Sequence, residues 1–156
     1  MQSDRSITDW QTKARAICNG SQVVITPKRL EVYTALLKAG QPMSAYDLIE
    51  AVNAEFARHL TPISIYRMLE FLEQKHLVRK LKSAGKYLAI TPKLEANCEQ
   101  VSQFLICGTC GDVKEFGVNQ RLLVELKTFI NSTGFQLNTM ELELDCICMN
   151  CLIHFY

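Results

Sequence analysis

The fold is decided by TPISIYRMLEFLEQKHLVRKLKSAGKYLAI, residues 61–90, a stretch in which the spacing of apolar residues changes from helical to strand-like. Thr61 suits the cap of a helix and Pro62 its first position. The apolar residues that follow recur at helical spacing, at Ile65, Met68, Leu69 and Leu72. Two β-rich runs, 77–82 and 86–90, then flank Ser83-Ala84-Gly85. The stretch therefore predicts a helix followed by a basic β-hairpin.

Three further helices are predicted before this stretch. The first covers residues 9–18, where apolar residues again recur at helical spacing. The second begins after Thr26, which is followed by a proline, and ends before Gly40. The third begins after Ser44, with Asp47 in place of the usual glutamate of a capping box. Short helices followed by a basic hairpin are typical of a winged helix-turn-helix.

The rest of the chain predicts a small αβ domain. We assign the winged helix-turn-helix to residues 1–91, a polar hinge to 92–100 and the αβ domain to 101–156. The αβ domain is expected to contain strands at 103–106 and 112–116, a helix at 118–133 and a strand at 135–145. The fold class is therefore α+β.

The net charge of +1 conceals an asymmetry between the two parts. Residues 1–93 contain 14 Lys and Arg against 8 Asp and Glu, whereas residues 94–156 contain 3 against 8. A basic part joined to an acidic part fits an anion-binding module with a second module of another kind. No apolar run approaches the roughly 18 residues of a membrane helix, and the first residues lack the apolar core of a signal peptide. We expect a cytoplasmic protein without membrane partners.

Four of the seven cysteines form two Cys-x-x-Cys pairs, Cys107 with Cys110 and Cys148 with Cys151. Zinc prefers four tetrahedral ligands, and a two-residue gap lets both thiolates of one turn face the same ion. Because each pair follows a predicted strand, one structural Zn²⁺ per subunit would join the first strand of the αβ domain to its last. The alternatives are a thioredoxin-like redox pair, for which one motif suffices, and inert buried thiols.

Several segments along nearly the whole chain carry a family resemblance. They are Thr26–Val32, Ser44–Leu48, Ile65–Leu72, Cys107–Glu115 and the closing Cys148–Cys151. Together they resemble the ferric-uptake-regulator superfamily, particularly its zinc-uptake branch. The resemblance implies a winged-helix domain, a dimerisation domain and a homodimer. It also implies repression of zinc-uptake genes from a palindromic, A·T-rich double-stranded DNA operator.

The resemblance also assigns DNA contacts. Tyr66 and Arg67 are expected to meet bases and backbone, with Ser64 beside them. Both point away from the apolar face of their helix, and an arginine can fork onto guanine while a tyrosine ring can meet a thymine methyl. The alternative for this pair is an ordinary solvated helix face. Phosphate contacts are assigned to the cations of the second helix and of the hairpin, Lys28, Arg29, Arg79, Lys80 and Lys82.

The chain departs from the family at its sensory metal site. Arg79 and Gln100 stand where the zinc branch has histidines, and Ile90 stands where it has a cysteine; of the four expected ligands only Glu115 matches. A cationic or an apolar side chain cannot replace imidazole or thiolate as a zinc ligand. We therefore do not expect a second, regulatory zinc of the usual kind. The remaining candidate regulatory groups are Glu115, Cys98 and Cys146.

Two other functions stay open beside the zinc-uptake repressor. The first is a DNA-binding family member that has lost metal sensing and responds to redox state or to a partner. The second, from another class, is a thiol oxidoreductase that uses one Cys-x-x-Cys. We do not expect an enzyme, because the sequence contains no Ser-His-Asp set, phosphate-binding loop or paired catalytic carboxylates, and its three histidines are scattered.

Overall fold

The computed structural model describes residues 2–20, 23–90 and 100–153. The chain divides into two compact units, Met1–Pro92 and Lys93–Tyr156. The hinge predicted at 92–100 lies outside the described residues except for Gln100, which is the first residue of a strand.

The first unit has the winged helix-turn-helix arrangement expected from the sequence. Its elements are α1 (Gln2–Gly20), α2 (Pro27–Ala39), β1 (Met43–Ser44), α3 (Ala45–Phe56), α4 (Pro62–Gln74), β2 (Val78–Leu81) and β3 (Lys86–Ala89). The antiparallel sheet has the order β1-β3-β2. The predicted helices and the hairpin are confirmed, although α1 is longer than the expected 9–18. The two-residue strand β1 was not predicted.

The helix ends follow from the capping residues identified in the sequence. The Thr26 side chain accepts a hydrogen bond from Arg29 N–H, and Gly40 ends α2 in the left-handed region with φ of 61°. Ser44 and Asp47 form a reciprocal capping box at the start of α3. These local bonds satisfy backbone groups that a helix leaves unpaired, so the predicted boundaries hold.

The core of the first unit lies between the helices and the sheet. It buries the apolar faces of α2, α3 and α4 and one side chain from β3, Tyr87. Tyr33 of α2 donates a hydrogen bond from its hydroxyl to the Ile90 carbonyl at 3.1 Å. Burial raises the pKa of Tyr33 to about 12, so this phenol stays neutral and tethers α2 to the end of β3.

The second unit is built on a three-stranded sheet. Its elements are β4 (Gln100–Cys107), β5 (Val113–Asn119), α5 (Gln120–Ser132), β6 (Glu143–Cys146) and α6 (Met149–Ile153). The strand order is β5-β4-β6, with β4 antiparallel to β5 and parallel to β6. The parallel pairing brings the ends of β4 and β6 to the same edge of the sheet.

Four sequence predictions in this unit are wrong in extent. The strands predicted at 103–106 and 112–116 cover Gln100–Cys107 and Val113–Asn119. The helix predicted from 118 begins at Gln120, because Asn119 ends β5 and its side chain accepts a hydrogen bond from Arg121 N–H. The strand predicted over 135–145 is limited to β6, and the short helix α6 was not predicted. The segment before β6 is irregular because the buried side chain of Gln103 binds the Met140 carbonyl and the Leu142 N–H.

Within the three described ranges, no helix combines the length and the apolar character needed to cross a membrane.

Candidate metal centre and nucleic-acid interface

The sheet of the second unit brings the two Cys-x-x-Cys turns together. Cys107 is the last residue of β4, and Cys148 follows two residues after the end of β6. In the parallel register Cys107 lies opposite Cys146. Both turns therefore leave the sheet at the same edge, which confirms the expected connection between the first and last strands of this unit.

Backbone hydrogen bonds fix both turns. Gly108 N–H donates to the Cys146 carbonyl, and Gly111 N–H donates to the Cys107 carbonyl, each at 2.9 Å. Gly111 has a φ of +71°, a conformation that favours glycine. The second turn is held by Leu152 N–H, which donates to the Cys148 carbonyl at 2.9 Å. The cysteine side chains thus extend from a defined backbone.

The four sulfur atoms have the spacing of a tetrahedral zinc site. The Sγ atoms of Cys107, Cys110, Cys148 and Cys151 all lie within 4.8 Å of one another, and those of Cys110 and Cys148 are 3.7 Å apart. Zinc–sulfur bonds of about 2.3 Å in a tetrahedron separate neighbouring sulfurs by about 3.8 Å. In the part of the chain that the structure describes, this is the one cluster of three or more potential metal ligands. The residues present therefore fit a structural Zn²⁺.

The thiols of this four-cysteine cluster differ in acidity. Backbone N–H groups of Cys148 and Cys110 lower the pKa of Cys107 to about 6, with the Cys148 N–H 3.3 Å from its sulfur. The sulfurs of Cys148 and Cys110 raise the pKa of Cys151 to about 12. Four thiolates at this spacing repel one another, so a bound divalent cation is what allows all four to ionise together.

Two of the three candidate regulatory residues lie in the described part of the chain, and neither joins this cluster. Cys146 is half-buried beside Cys107 in the sheet, but its sulfur is not among the four that converge. Glu115 is exposed on β5, where its carboxylate accepts a hydrogen bond from the Ser102 hydroxyl. Cys98 lies outside the described residues. A regulatory role for these three residues stays a prediction.

The helix α4 presents two distinct faces. Ile65, Leu69 and Leu72 are fully buried against α2 and α3. Tyr66 and Arg67 are exposed on the other side, with 46% of Tyr66 accessible. This is the orientation expected from the sequence, whereas contact of these two side chains with DNA stays a prediction.

The other predicted DNA contacts occupy varied environments. Lys28, Lys80 and Lys82 are exposed, and the Lys80 ammonium lies 5.8 Å from the centroid of the Tyr87 ring. Arg29 is half-buried, because its guanidinium stacks 3.7 Å above the centroid of Phe71. The Ser64 hydroxyl is engaged with the Thr61 hydroxyl at the start of α4. The contacts of these residues with phosphate remain predictions.

Two exposed residues near these positions were not singled out from the sequence. Tyr46 in the first turn of α3 is 66% exposed, and Ile63 in the first turn of α4 is 69% exposed. Apolar and aromatic residues at helical spacing are usually read as core. A position two residues after the helix cap and outside the apolar stripe is the signal that would have identified both.

Comparison with known proteins agrees with this architecture. The sequence pattern of the ferric uptake regulator family matches residues 20–145. The zinc uptake regulation protein of Escherichia coli K12 is 31% identical over 143 residues, which cover 90% of this chain and 80% of that protein.

Solved structures of zinc uptake regulators superpose on the chain. One, in complex with zinc and DNA, gives a TM-score of 0.71 at 27% identity, covering 96% of this chain and 97% of that one. The holo form of XcZur gives 0.67 at 26% identity, covering 93% and 98%. Since the family pattern and a curated relative both extend over most of its length, the chain belongs to the ferric uptake regulator family, within its zinc uptake regulator branch.

Proposed function

We propose that this protein is a homodimeric, DNA-binding transcriptional regulator that represses zinc-uptake genes. Each subunit holds one structural zinc on Cys107, Cys110, Cys148 and Cys151. Its first unit binds a palindromic, A·T-rich operator, in the cytoplasm where the DNA is accessible. The related regulator of known structure that is complexed with zinc and DNA supports this proposal.

The observation that carries the proposal is the outer face of α4. A helix whose inner face is fully buried offers a rigid outer face, and here that face holds Tyr66 and Arg67. In a helix-turn-helix the second of the two helices, here α4, enters the major groove, where an arginine can donate two hydrogen bonds to guanine O6 and N7. The excess of cations over residues 1–93 supports attraction to phosphate.

The dimer is supported by apolar surface on the second unit. Among the apolar residues of α5 only Leu123 is buried within the chain, whereas Leu122 and Phe129 are 59% and 69% exposed. Ile147, Met149 and Ile153 near the zinc cluster are exposed as well. Apolar surface of this extent favours burial between two subunits. The zinc stabilises the sheet edge from which part of this surface extends.

A thiol oxidoreductase is disfavoured by the same geometry. A redox pair needs one accessible Cys-x-x-Cys whose thiolate attacks a substrate disulfide. Here the two pairs converge, and all four sulfurs lie within 4.8 Å of one another. Four convergent thiolates are suited to binding a metal ion rather than to thiol–disulfide exchange with a substrate.

A second candidate function is a DNA-binding regulator of the same family that does not sense zinc. By the family resemblance, Arg79 of β2 and Ile90, directly after β3, stand where the zinc branch has a histidine and a cysteine. This favours a family member whose DNA binding follows redox state, a partner or its own abundance. Both candidates bind DNA. They differ in whether DNA affinity changes when more zinc is added after the structural site is full.

DNA binding is tested by selecting duplexes from a random pool with the zinc-loaded protein and measuring affinity by fluorescence anisotropy. Arg67→Ala should weaken binding to the selected duplex far more than binding to random DNA. Arg121→Ala, which removes the same charge from an exposed position in the second unit, is the matched control. Transcription in vitro from a promoter containing the selected site then tests repression. Failure to enrich any duplex would contradict the proposal.

A further inference from the structure

The first turn of α4 carries an isoleucine that the core does not use. Ile63 is the second residue of the helix, directly after Pro62, and 69% of its surface is exposed. It is more exposed than Tyr66, the aromatic residue one turn further along the helix. An aliphatic side chain in this position contributes little to the fold, since most of its apolar surface stays in water.

The position of Ile63 on the helix places it at the centre of the outward face. Successive residues turn by about 100°, so Ile63 lies between Tyr66 and Arg67, about 60° from one and 40° from the other. The middle of the buried face, formed by Ile65, Leu69 and Leu72, is about 150° away. Whatever Tyr66 and Arg67 touch, Ile63 faces as well.

The polar side chains of the same turn are already engaged. The Thr61 hydroxyl lies 3.0 Å from the Ser64 hydroxyl and accepts a hydrogen bond from Ser64 N–H at 3.3 Å. These groups serve as the cap of α4. Ile63 is therefore the large side chain that this turn extends outward, and it has no hydrogen-bonding group.

Duplex DNA offers one apolar group on the edges of its bases in the major groove, the C5-methyl of thymine. A helix-turn-helix consists of two helices, and the N-terminal residues of the second one, here α4, reach base edges. We propose that Ile63 is a specificity-determining residue that packs against a thymine methyl and selects thymine over cytosine at one position in each half-site. The inference rests on the proposed DNA binding and adds an apolar contact to the polar ones of Arg67.

The test removes the methyl from the DNA and the side chain from the protein separately. A duplex selected by the zinc-loaded wild-type protein is resynthesised with deoxyuridine replacing thymidine at one position at a time, a change that deletes only the C5-methyl. Affinities are measured for wild type, Ile63→Ala and Ile63→Val. Ile17→Ala is the matched control, because Ile17 is an exposed isoleucine of another helix, α1.

At one position per half-site the response to deoxyuridine should depend on Ile63, whereas a thymine contacted by the Tyr66 ring should respond equally in wild type and in Ile63→Ala. At the position that depends on Ile63, deoxyuridine should weaken wild-type binding about four-fold per methyl, or about 15-fold when both half-sites are changed. Ile63→Ala should lose the same affinity on the thymidine duplex and show no further loss with deoxyuridine at that position. Ile63→Val should keep a reduced response, and Ile17→Ala should behave as wild type.

The inference is overturned if Ile63→Ala binds the thymidine duplex as tightly as wild type does. It is also overturned if that variant responds to deoxyuridine as strongly as wild type at every position. Both results leave DNA binding itself intact. If no duplex is enriched at all, the proposed function fails and this inference fails with it, so the two failures are distinguishable.

Discussion

The side-chain oxygen of Gln103 accepts a hydrogen bond from the backbone N–H of Leu142 at 2.6 Å, across 39 residues of sequence. The amide nitrogen of the same side chain donates to the Met140 carbonyl at 3.0 Å. Gln103 is only 1% exposed. A buried glutamine of β4 thus binds two backbone groups of the segment that leads into β6 and on to the second Cys-x-x-Cys turn, in addition to the backbone bond from Phe104 N–H to the Leu142 carbonyl.

Gln103→Ala should lower the free energy of unfolding of the zinc-loaded protein by about 1–3 kcal/mol, because it leaves two backbone groups without partners. It should also speed zinc transfer to a chelator, since the segment approaching Cys148 loses its anchor. Denaturant titration and the rate of zinc release measure the two effects. Gln136→Ala, at an exposed position of the same segment, is the control. Identical values for both variants would contradict the role of Gln103.

The zinc site gives a second prediction. Cys151→Ser should lose the metal and much of the stability of the second unit, because metal binding free energy becomes folding free energy. Cys146→Ser, whose sulfur lies outside the cluster, should keep one zinc per subunit. Elemental analysis and thermal melting measure these outcomes. A Cys151→Ser protein with stoichiometric zinc and an unchanged Tm would exclude the four-cysteine site.

Local signals account for what the sequence predicted correctly. Thr26, Gly40 and Ser44 act within four residues of themselves, so the helix ends could be placed without knowing the fold. Only residues 143–145 of the strand expected over 135–145 lie in a strand. The alternating apolar residues before them resemble a strand, but the side chain of Gln103, which is distant in sequence, binds the backbone there.

The four-cysteine cluster and the outer face of α4 show the same contrast between local signals and interactions of distant residues. The metal-binding character of each Cys-x-x-Cys is local, and their convergence could be anticipated because each follows a strand. The parallel register that joins β4 to β6 could not be read from the sequence, because it depends on pairing between distant residues. Ile63 was missed because an isoleucine in a helix is usually read as core, although the helical spacing alone places it about 150° from the middle of the buried face.

A third prediction separates phosphate contacts from base contacts. Lys80 is exposed on the hairpin strand β2, and a lysine that neutralises one phosphate contributes equally to every sequence. Lys80→Ala should weaken binding to the selected duplex and to random DNA by the same factor. It should also reduce the slope of log affinity against log salt by about one unit for each phosphate that is no longer neutralised. Salt titration of both duplexes measures this, and a weakening confined to the selected duplex would assign Lys80 to base recognition instead.

The last prediction concerns the response to zinc. A metal shifts a protein toward its DNA-binding arrangement only if it binds that arrangement more tightly than the other. The family resemblance assigns four sensor-ligand positions, of which three are held here by Arg79, Ile90 and Gln100. One carboxylate such as Glu115 cannot hold the ion alone. Operator affinity should therefore be nearly the same with one zinc per subunit as with excess zinc. The measurement is the affinity for the selected duplex across buffered free-zinc concentrations that keep the four-cysteine site full. A steep rise in affinity over that range would refute the prediction and direct the search for a rebuilt site to Cys98 and Glu115.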